Sequence, residues 1–418
     1  MQTLIKNIAC LVNVLEEHKL LRGKELAQLP IIQNAYLIIE NGLIKEYGST
    51  EEFKTENSKL KTQNSELKII DANSAYVLPC WCDSHTHLVF AASREEEFVD
   101  KIKGLSYADI AAKGGGILNS ANKLNAMSED DLFHLAQKRL QEVIQLGTGA
   151  IEIKSGYGLS MEGELKMLRV IQRLKQSSNI PVKATFLGAH AYPLAYKNNH
   201  EAYIKLIVDE MLPNIAKENL ADYIDCFCEQ GFFSADEMKR ICKAAAKYNL
   251  KPKLHVNQLS SIGGIEAAIE VNAISVDHLE TLSDEEILKL SNAETIGTLL
   301  PTAAYFLRMN FPPAKKLIEN NCAVALASDY NPGSSPSGNM NNVVSMACIQ
   351  MRMLPEEAIN AATINGAYAI ELQNEVGSIS IGKKANFIFT KQIPSLAYLP
   401  YSFANNLIDK VMIGGEFI

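Results

Sequence analysis

Two histidines two residues apart, His85 and His87, stand in Asp83-Ser84-His85-Thr86-His87, which closes the apolar run Ala75-Tyr76-Val77-Leu78-Pro79. On an extended strand, side chains two apart point to the same side. Both imidazoles therefore aim together, and Thr86 turns away. Such a pair makes half a site for a borderline-soft metal such as zinc, which sits about 2.0–2.1 Å from each nitrogen. Taken alone, His-x-His fits a solvated or hydrogen-bonded pair equally well. A metal needs further donors, and those must be carried here by the rest of the chain.

At 418 residues, 47% of them apolar and 21% charged, the chain can bury a large core, and one big domain with a smaller one is expected. A net charge of -8 argues against nucleic acid or an anionic membrane as a partner. No apolar run reaches membrane-spanning length, and no basic segment leads into an apolar one at the amino terminus, so the expected location is the cytoplasm. Cys80 and Cys82, like Cys226 and Cys228, form C-x-C pairs on apparent strands. A zinc-thiolate site is one reading of them; reduced, buried thiols are the expected one.

Residues 1–75 read as short strands and turns. Ala35-Tyr36-Leu37-Ile38-Ile39 and Leu43-Ile44-Lys45-Glu46-Tyr47 flank Glu40-Asn41-Gly42, a hairpin signal because Asn-Gly accepts left-handed backbone. The polar stretch 49–68 reads as an exposed loop. Near the other end, Val376-Gly377-Ser378-Ile379, Ala385-Asn386-Phe387-Ile388-Phe389 and Lys410-Val411-Met412-Ile413 read as strands. Residues 1–75 and 376–418 are therefore expected to form one small β domain. Residues 76–375 alternate strand and helix signals, with strands ending near His85/His87, Lys154, His190, Glu229, His255, His278, Pro301 and Asp329. Eight such units fit an α/β fold of the (β/α)8, TIM-like barrel type, which gathers reactive groups at the carboxyl ends of its strands. Five of the eight histidines fall at these ends, and His18, His134 and His200 do not.

The chain resembles the imidazolonepropionase family of the amidohydrolase superfamily. The likeness is carried by His85-Thr86-His87-Leu88-Val89-Phe90, Ser93-Arg94-Glu95-Glu96-Glu97-Phe98, Glu152-Ile153-Lys154-Ser155-Gly156-Tyr157-Gly158 and Phe186-Leu187-Gly188-Ala189-His190. It continues through Asp225-Cys226-Phe227-Cys228-Glu229, His255, Asp277-His278-Leu279 and Ser328-Asp329-Tyr330-Asn331-Pro332-Gly333. The resemblance implies a small β-sandwich beside the barrel and one Zn2+ or Fe3+ per chain. It also implies a homodimer, and hydrolysis of 4-imidazolone-5-propanoate to N-formimidoyl-L-glutamate. His85, His87, His255 and Asp329 would be the ligands, leaving room for a water. For His255 alone a hydrogen-bonded core histidine is the alternative, and for Asp329 a helix cap.

Lys154 bears on the metal count, because binuclear relatives bridge two ions with a carboxylated lysine near the fourth strand. Lys154 falls near the second, so a structural or substrate-side lysine is expected. Asp329 is expected to take a proton from water and return it to the departing ring nitrogen. His278 would polarise the carbonyl, or else only orient a ligand. Gln258 stands where relatives carry Glu; an amide is no general base, so it is given an orienting role. Arg94 fits the substrate's carboxylate side chain, its alternative being an ion pair with Glu95, Glu96 or Glu97. The resemblance places Tyr107, Tyr157 and His190 around the substrate. Backbone N–H groups in the loop of Asn331, Gly333 and Ser334 would hold the formimidoyl end, or the loop is a plain connection. Lys113-Gly114-Gly115-Gly116 reads as a helix terminator rather than a mobile loop. Cys80-Trp81-Cys82 and Asn386 depart from the family's usual glycine-containing turn and Asp. Two other readings compete: a different amidohydrolase, such as a deaminase lacking the carboxylate anchor, and a metal-stabilised scaffold with no turnover.

Overall fold

Eight strands pair in sequence order, all parallel: Trp81–Asp83, Thr148–Lys154, Val182–Ala189, Tyr223–Cys228, Lys251–Val256, Ser275–His278, Ile296–Leu299 and Val324–Leu326. The computed structural model describes residues 2–16, 18–56, 67–105, 109, 113, 115–403 and 405–418. The eight-stranded sheet closes just beyond its first and last strands. Asp329 N donates to His85 O at 3.0 Å, His87 N donates to Tyr330 O at 2.9 Å, and Thr86 bridges Tyr330 in parallel. Closure gives a (β/α)8 barrel and brings the histidine pair to Asp329, more than half the chain away.

Strand alternation sorts the side chains. Ile151, Ile153, Ile224, Leu254, Val256 and Val276 share one buried cluster with helix residues such as Leu140, Leu168, Ile171, Ile241 and Ile265. On the opposite phase Glu152, Lys154, Asp225, Lys253 and Asp277 are fully buried polar residues. The surrounding helices begin where serine supplies a cap: Ser160 accepts from Gly163 N, while Ser234 with Glu237 and Ser283 with Glu286 form capping boxes.

A second sheet is built from both ends of the chain. Gln2–Val12 pairs with Ile31–Glu40, Leu67–Asp71 and Tyr76–Pro79, and Phe387–Thr390 joins through Tyr76–Pro79. Ile5, Ile8, Leu11, Leu37, Val77, Phe387 and Met412 belong to its own core. The expected hairpin is present, with Glu40 opposite Leu43 and positive φ at Asn41 (53°) and Gly42 (79°). Tyr76–Pro79 lies in this sheet and Trp81–Asp83 in the barrel, so the chain passes between them at Cys80.

Two expectations are corrected. Thr50–Glu56 is helical rather than loop, its first turn carrying Glu51 and Glu52 where acidic groups favour a helix start; residues 57–66 of that polar tract lie outside the described residues. Val376–Ile379 is not a strand. Only Ile379 bridges Val14, because Gly377 turns with φ 88°. The paired cysteines are all buried, which pushes the Cys82 and Cys228 thiols up to about 12. Among the described residues, no helix is long and apolar enough to cross a membrane.

The two sheets meet closely at Gly149, where an added Cβ would lie 2.3 Å from Cys80 Cβ. Gly149→Val should therefore cost about 1–3 kcal/mol by overpacking, read as a lower urea midpoint. An unchanged midpoint would mean the junction yields without strain.

Candidate metal centre and active site

His85 and His87 leave the first strand together. His85 Nε2 lies 3.5 Å and His87 Nε2 3.6 Å from Asp329 Oδ1, and His87 Nε2 lies 3.3 Å from His255 Nε2. Donors about 2.0–2.1 Å from one tetrahedral ion stand roughly 3.3–3.4 Å apart. The protonation pattern fits the same occupant. Asp277 Oδ2 accepts from His85 Nδ1 at 2.7 Å, and Asp225 Oδ2 accepts from His255 Nδ1 at 2.7 Å. Each carboxylate accepts a hydrogen bond from Nδ1, which keeps the ring proton there and leaves Nε2 a bare lone pair. His85 Nε2 is buried without a hydrogen-bond partner. The Nε2 lone pairs of His85 and His255 converge with His87 Nε2 and the Asp329 carboxylate, a donor set suited to a divalent cation. Burial holds His85 and His87 well below the usual imidazole range and raises Asp329. His278 Nδ1 faces Glu280 Oε1 at 3.5 Å. Burial would lower His278, but Glu280, Asp329 and Asp277 raise it overall.

Lys154 closes the second strand fully buried, 2.8 Å from Glu152 Oε1, 2.9 Å from Asp225 Oδ2 and 3.7 Å from Asp277 Oδ2. It is an ion-pair centre beneath the histidines. The fourth strand, Tyr223–Cys228, carries no lysine.

Above the histidines, Tyr157, His190, Phe227, Gln258, His278, Asn331 and Ser334 line one cavity with His87, His255 and Asp329. His190 Nδ1 donates to Gly156 O at 2.9 Å, and burial lowers its pKa to about 3, so the neutral ring offers Nε2 as an acceptor. Gln258 makes no side-chain hydrogen bond among the described residues and faces the cavity. Its loop is pinned on both sides: Leu259 N donates to Glu229 Oε2 at 2.8 Å, and Asn257 Nδ2 to Glu286 Oε1 at 2.8 Å. Arg94 Nε donates to Ser120 Oγ at 2.8 Å, its guanidinium lies 5.7 Å from the Tyr157 ring centre, and its buried Nη2 is unpartnered. Arg94 forms no ion pair with Glu95, Glu96 or Glu97 among the described contacts. Tyr107 and Gly114 lie outside the described residues.

One local expectation changes. Gly333 N and Ser334 N both donate to Asn331 Oδ1 at 2.8 Å, so those backbone donors are spent inside the loop. Ser334 Oγ instead reaches Asp329 Oδ2 at 3.2 Å, and a Cβ at Gly333 would stand 2.6 Å from Arg94 Nη1. Glycine there leaves space for the guanidinium. Gly116 starts the helix Ile117–Ala126 with φ 84°; the residues that would show a helix ending at Lys113-Gly114, 110–112 and 114, lie outside the described residues.

Sequence reasoning missed Asp225, Asp277, Glu229 and Glu164. The last accepts from Gly156, Gly158 and Leu159 N and so shapes the Tyr157 loop. A signal existed for Asp225 in strand alternation, which puts it on the inward phase with Phe227.

The amidohydrolase family profile matches residues 76–418. Over the full length of both chains, the sequence is 53% identical to an imidazolonepropionase of Flavobacterium johnsoniae and 52% to one of Christiangramia forsetii. It is 42% identical to one of Clostridium tetani, over 95% of this chain and 93% of the relative. Among solved structures, E. coli guanine deaminase aligns with a TM-score of 0.73 over 100% of this chain and 99% of its own, at 13% identity. That likeness concerns the fold alone.

Burial keeps His85, His87 and His190 neutral when folded, whereas an unfolded histidine takes a proton near pH 6.5. Below that pH the unfolded chain binds more protons, so stability falls as pH falls. Urea titrations of metal-stripped protein between pH 4 and 6 should show this. His190→Asn should flatten the fall by about 1.4 kcal/mol per pH unit. An unaltered slope would mean that His190 protonates in the folded chain.

Proposed function

The chain belongs to the amidohydrolase family, in its imidazolonepropionase branch, and on that premise we propose that it opens the ring of 4-imidazolone-5-propanoate to give N-formimidoyl-L-glutamate in histidine degradation. The observation that carries the substrate assignment is Arg94, braced through Nε by Ser120, with a buried, unpartnered Nη2 and its guanidinium 5.7 Å from the ring centre of the cavity residue Tyr157. A forked cation in that state suits the propionate carboxylate.

His85, His87, His255 and Asp329 would hold one Zn2+ or Fe3+. Such an ion, when bound, polarises a carbonyl and lowers the pKa of water to about 7. The remaining chemistry falls to side chains. Arg94 anchors the propionate, and Tyr157, which lines the cavity, lies beside its guanidinium. Tyr107 is kept in this reading as a further substrate neighbour. His190 Nε2 accepts from a ring N–H, and Gln258, an amide with both donor and acceptor, sets the ring's orientation. Asp329 takes the proton of the attacking water and delivers it to the ring nitrogen as the C–N bond breaks. Ser334, hydrogen-bonded to Asp329 Oδ2, fixes that carboxylate. Asn331 folds the loop around Ser334, and Gly333 clears room for Arg94. His278, its pKa raised by Glu280, Asp329 and Asp277 despite burial, donates a hydrogen bond to the oxygen on which negative charge grows.

A deaminase on the same barrel has no use for a propionate anchor, so Arg94 separates the two readings. Purified, metal-loaded protein should remove the ring's ultraviolet absorption from fresh 4-imidazolone-5-propanoate, and a chelated control should not. Arg94→Ala should raise KM about 10–100-fold, matching a charge-assisted bond of about 1.5–3 kcal/mol. Turnover that ignores both chelator and Arg94 defeats the assignment.

His278→Asn should retain its metal yet lose about 10²–10³ in kcat. Loss of metal from that variant would make His278 a ligand instead.

A further inference from the structure

One buried ammonium stands between the two carboxylates that aim the metal-facing histidines. Asp225 Oδ2, which accepts from His255 Nδ1 at 2.7 Å, lies 2.9 Å from Lys154 Nζ. Asp277 Oδ2, which accepts from His85 Nδ1 at 2.7 Å, lies 3.7 Å from the same Nζ. In each carboxylate the oxygen that accepts from the imidazole is the one facing Lys154. The remaining oxygens are fixed by other partners. Asp225 Oδ1 accepts from His255 N at 3.0 Å and Cys226 N at 2.6 Å, and Asp277 Oδ1 from Ser275 Oγ at 2.6 Å. Lys154 is held in turn by Glu152 Oε1 at 2.8 Å, and its own N donates to Thr86 O at 2.8 Å, between the two histidines of the first strand.

We infer that Lys154 is a positioning residue for the metal centre: its ammonium fixes Asp225 and Asp277 together, and through them sets the direction and tautomer of His255 and His85. Glu152, Asp225 and Asp277 are all fully buried. Two carboxylates so placed repel one another unless a cation sits between them. Without Lys154 the cheapest relief is rotation of one carboxylate, and its histidine loses the partner that keeps Nε2 bare and aimed inward. Partners of this kind typically change metal affinity by about 10–100-fold when removed. Lys154 thus joins the proposed ligands His85, just past the first strand, and His255, in the fifth, into one unit through their carboxylate partners.

This inference rests on the assignment of His85 and His255 as ligands, and the experiment separates the two. Zn2+ affinity is measured by chelator competition on wild-type protein, Lys154→Met, Asp225→Asn and the double variant, with far-ultraviolet circular dichroism of each metal-free protein. Cobalt-loaded samples report ligand geometry through their visible absorption. The expected result is a folded Lys154→Met with about 10–100-fold weaker Zn2+ binding and an altered cobalt band. The double variant should lose less than the sum of the two single losses. Where Lys154→Met does not fold, Glu152→Gln/Lys154→Met, which removes one carboxylate with the ammonium, takes its place; failure of both to fold would make Lys154 a folding residue and overturn the inference. Wild-type affinity and an unchanged cobalt band in a folded variant overturn it as well. Wild-type protein that binds no Zn2+ or cobalt would sink the ligand assignment itself.

Discussion

Barrel closure is the constraint on which the site depends. Two backbone hydrogen bonds, Asp329 N to His85 O and His87 N to Tyr330 O, join the segments leaving the first and eighth strands. The same peptides that seal the sheet carry three of the proposed ligands, so their spacing is set by the hydrogen bonds that close the barrel, although Asp329 itself turns into left-handed backbone at φ 52°. Such a scaffold suits a metal centre, because donors fixed by a rigid backbone need little reorganisation to accept an ion. Arg139 reinforces it from outside, donating to Phe90 O at 2.8 Å and stacking on the Phe90 ring at 3.5 Å.

Closure brings a cost, because it buries charge. The barrel's inward phase holds Glu152, Lys154, Asp225, Lys253 and Asp277, where isolated ions would be strongly disfavoured. The structure answers with mutual pairing. Burial alone would raise Asp225, yet His255 and Lys154 hold it well below the usual carboxylate range. Lys154 is raised in return by Asp225, Glu152 and Asp277, despite its burial. Removing one member of such a set costs about 3–5 kcal/mol, chiefly because its partner is stranded. A polar barrel interior is therefore stable only as a complete set, and the histidines of the proposed metal centre form its upper layer.

Much of this was legible from residue order, and the reasons differ by element. His85, His87, His190, His255 and His278 stood out because rare residues recurred at strand ends. The Asn41-Gly42 hairpin was readable because its backbone conformation demands those residue types. Asp225 and Asp277 were less visible: a carboxylate inside an apolar strand has meaning only beside its partner, and Lys154 comes from another strand. Val376–Ile379 misled through β-branched content, since Gly377 breaks the extended run. In the loop after Asp329, composition said that donors were available, but only coordinates show that Asn331 Oδ1 consumes them.

The small sheet is stitched from both ends of the chain, and this has a consequence for biosynthesis. One edge of Tyr76–Pro79 pairs with the early strand Gln2–Val12, while its other edge waits for Phe387–Thr390. During translation that second edge stays open until nearly the whole polypeptide has emerged. An unpaired edge is a template for unwanted association, so a ribosome that stalls late leaves behind a nascent product with its catalytic barrel largely made and a sticky seam exposed.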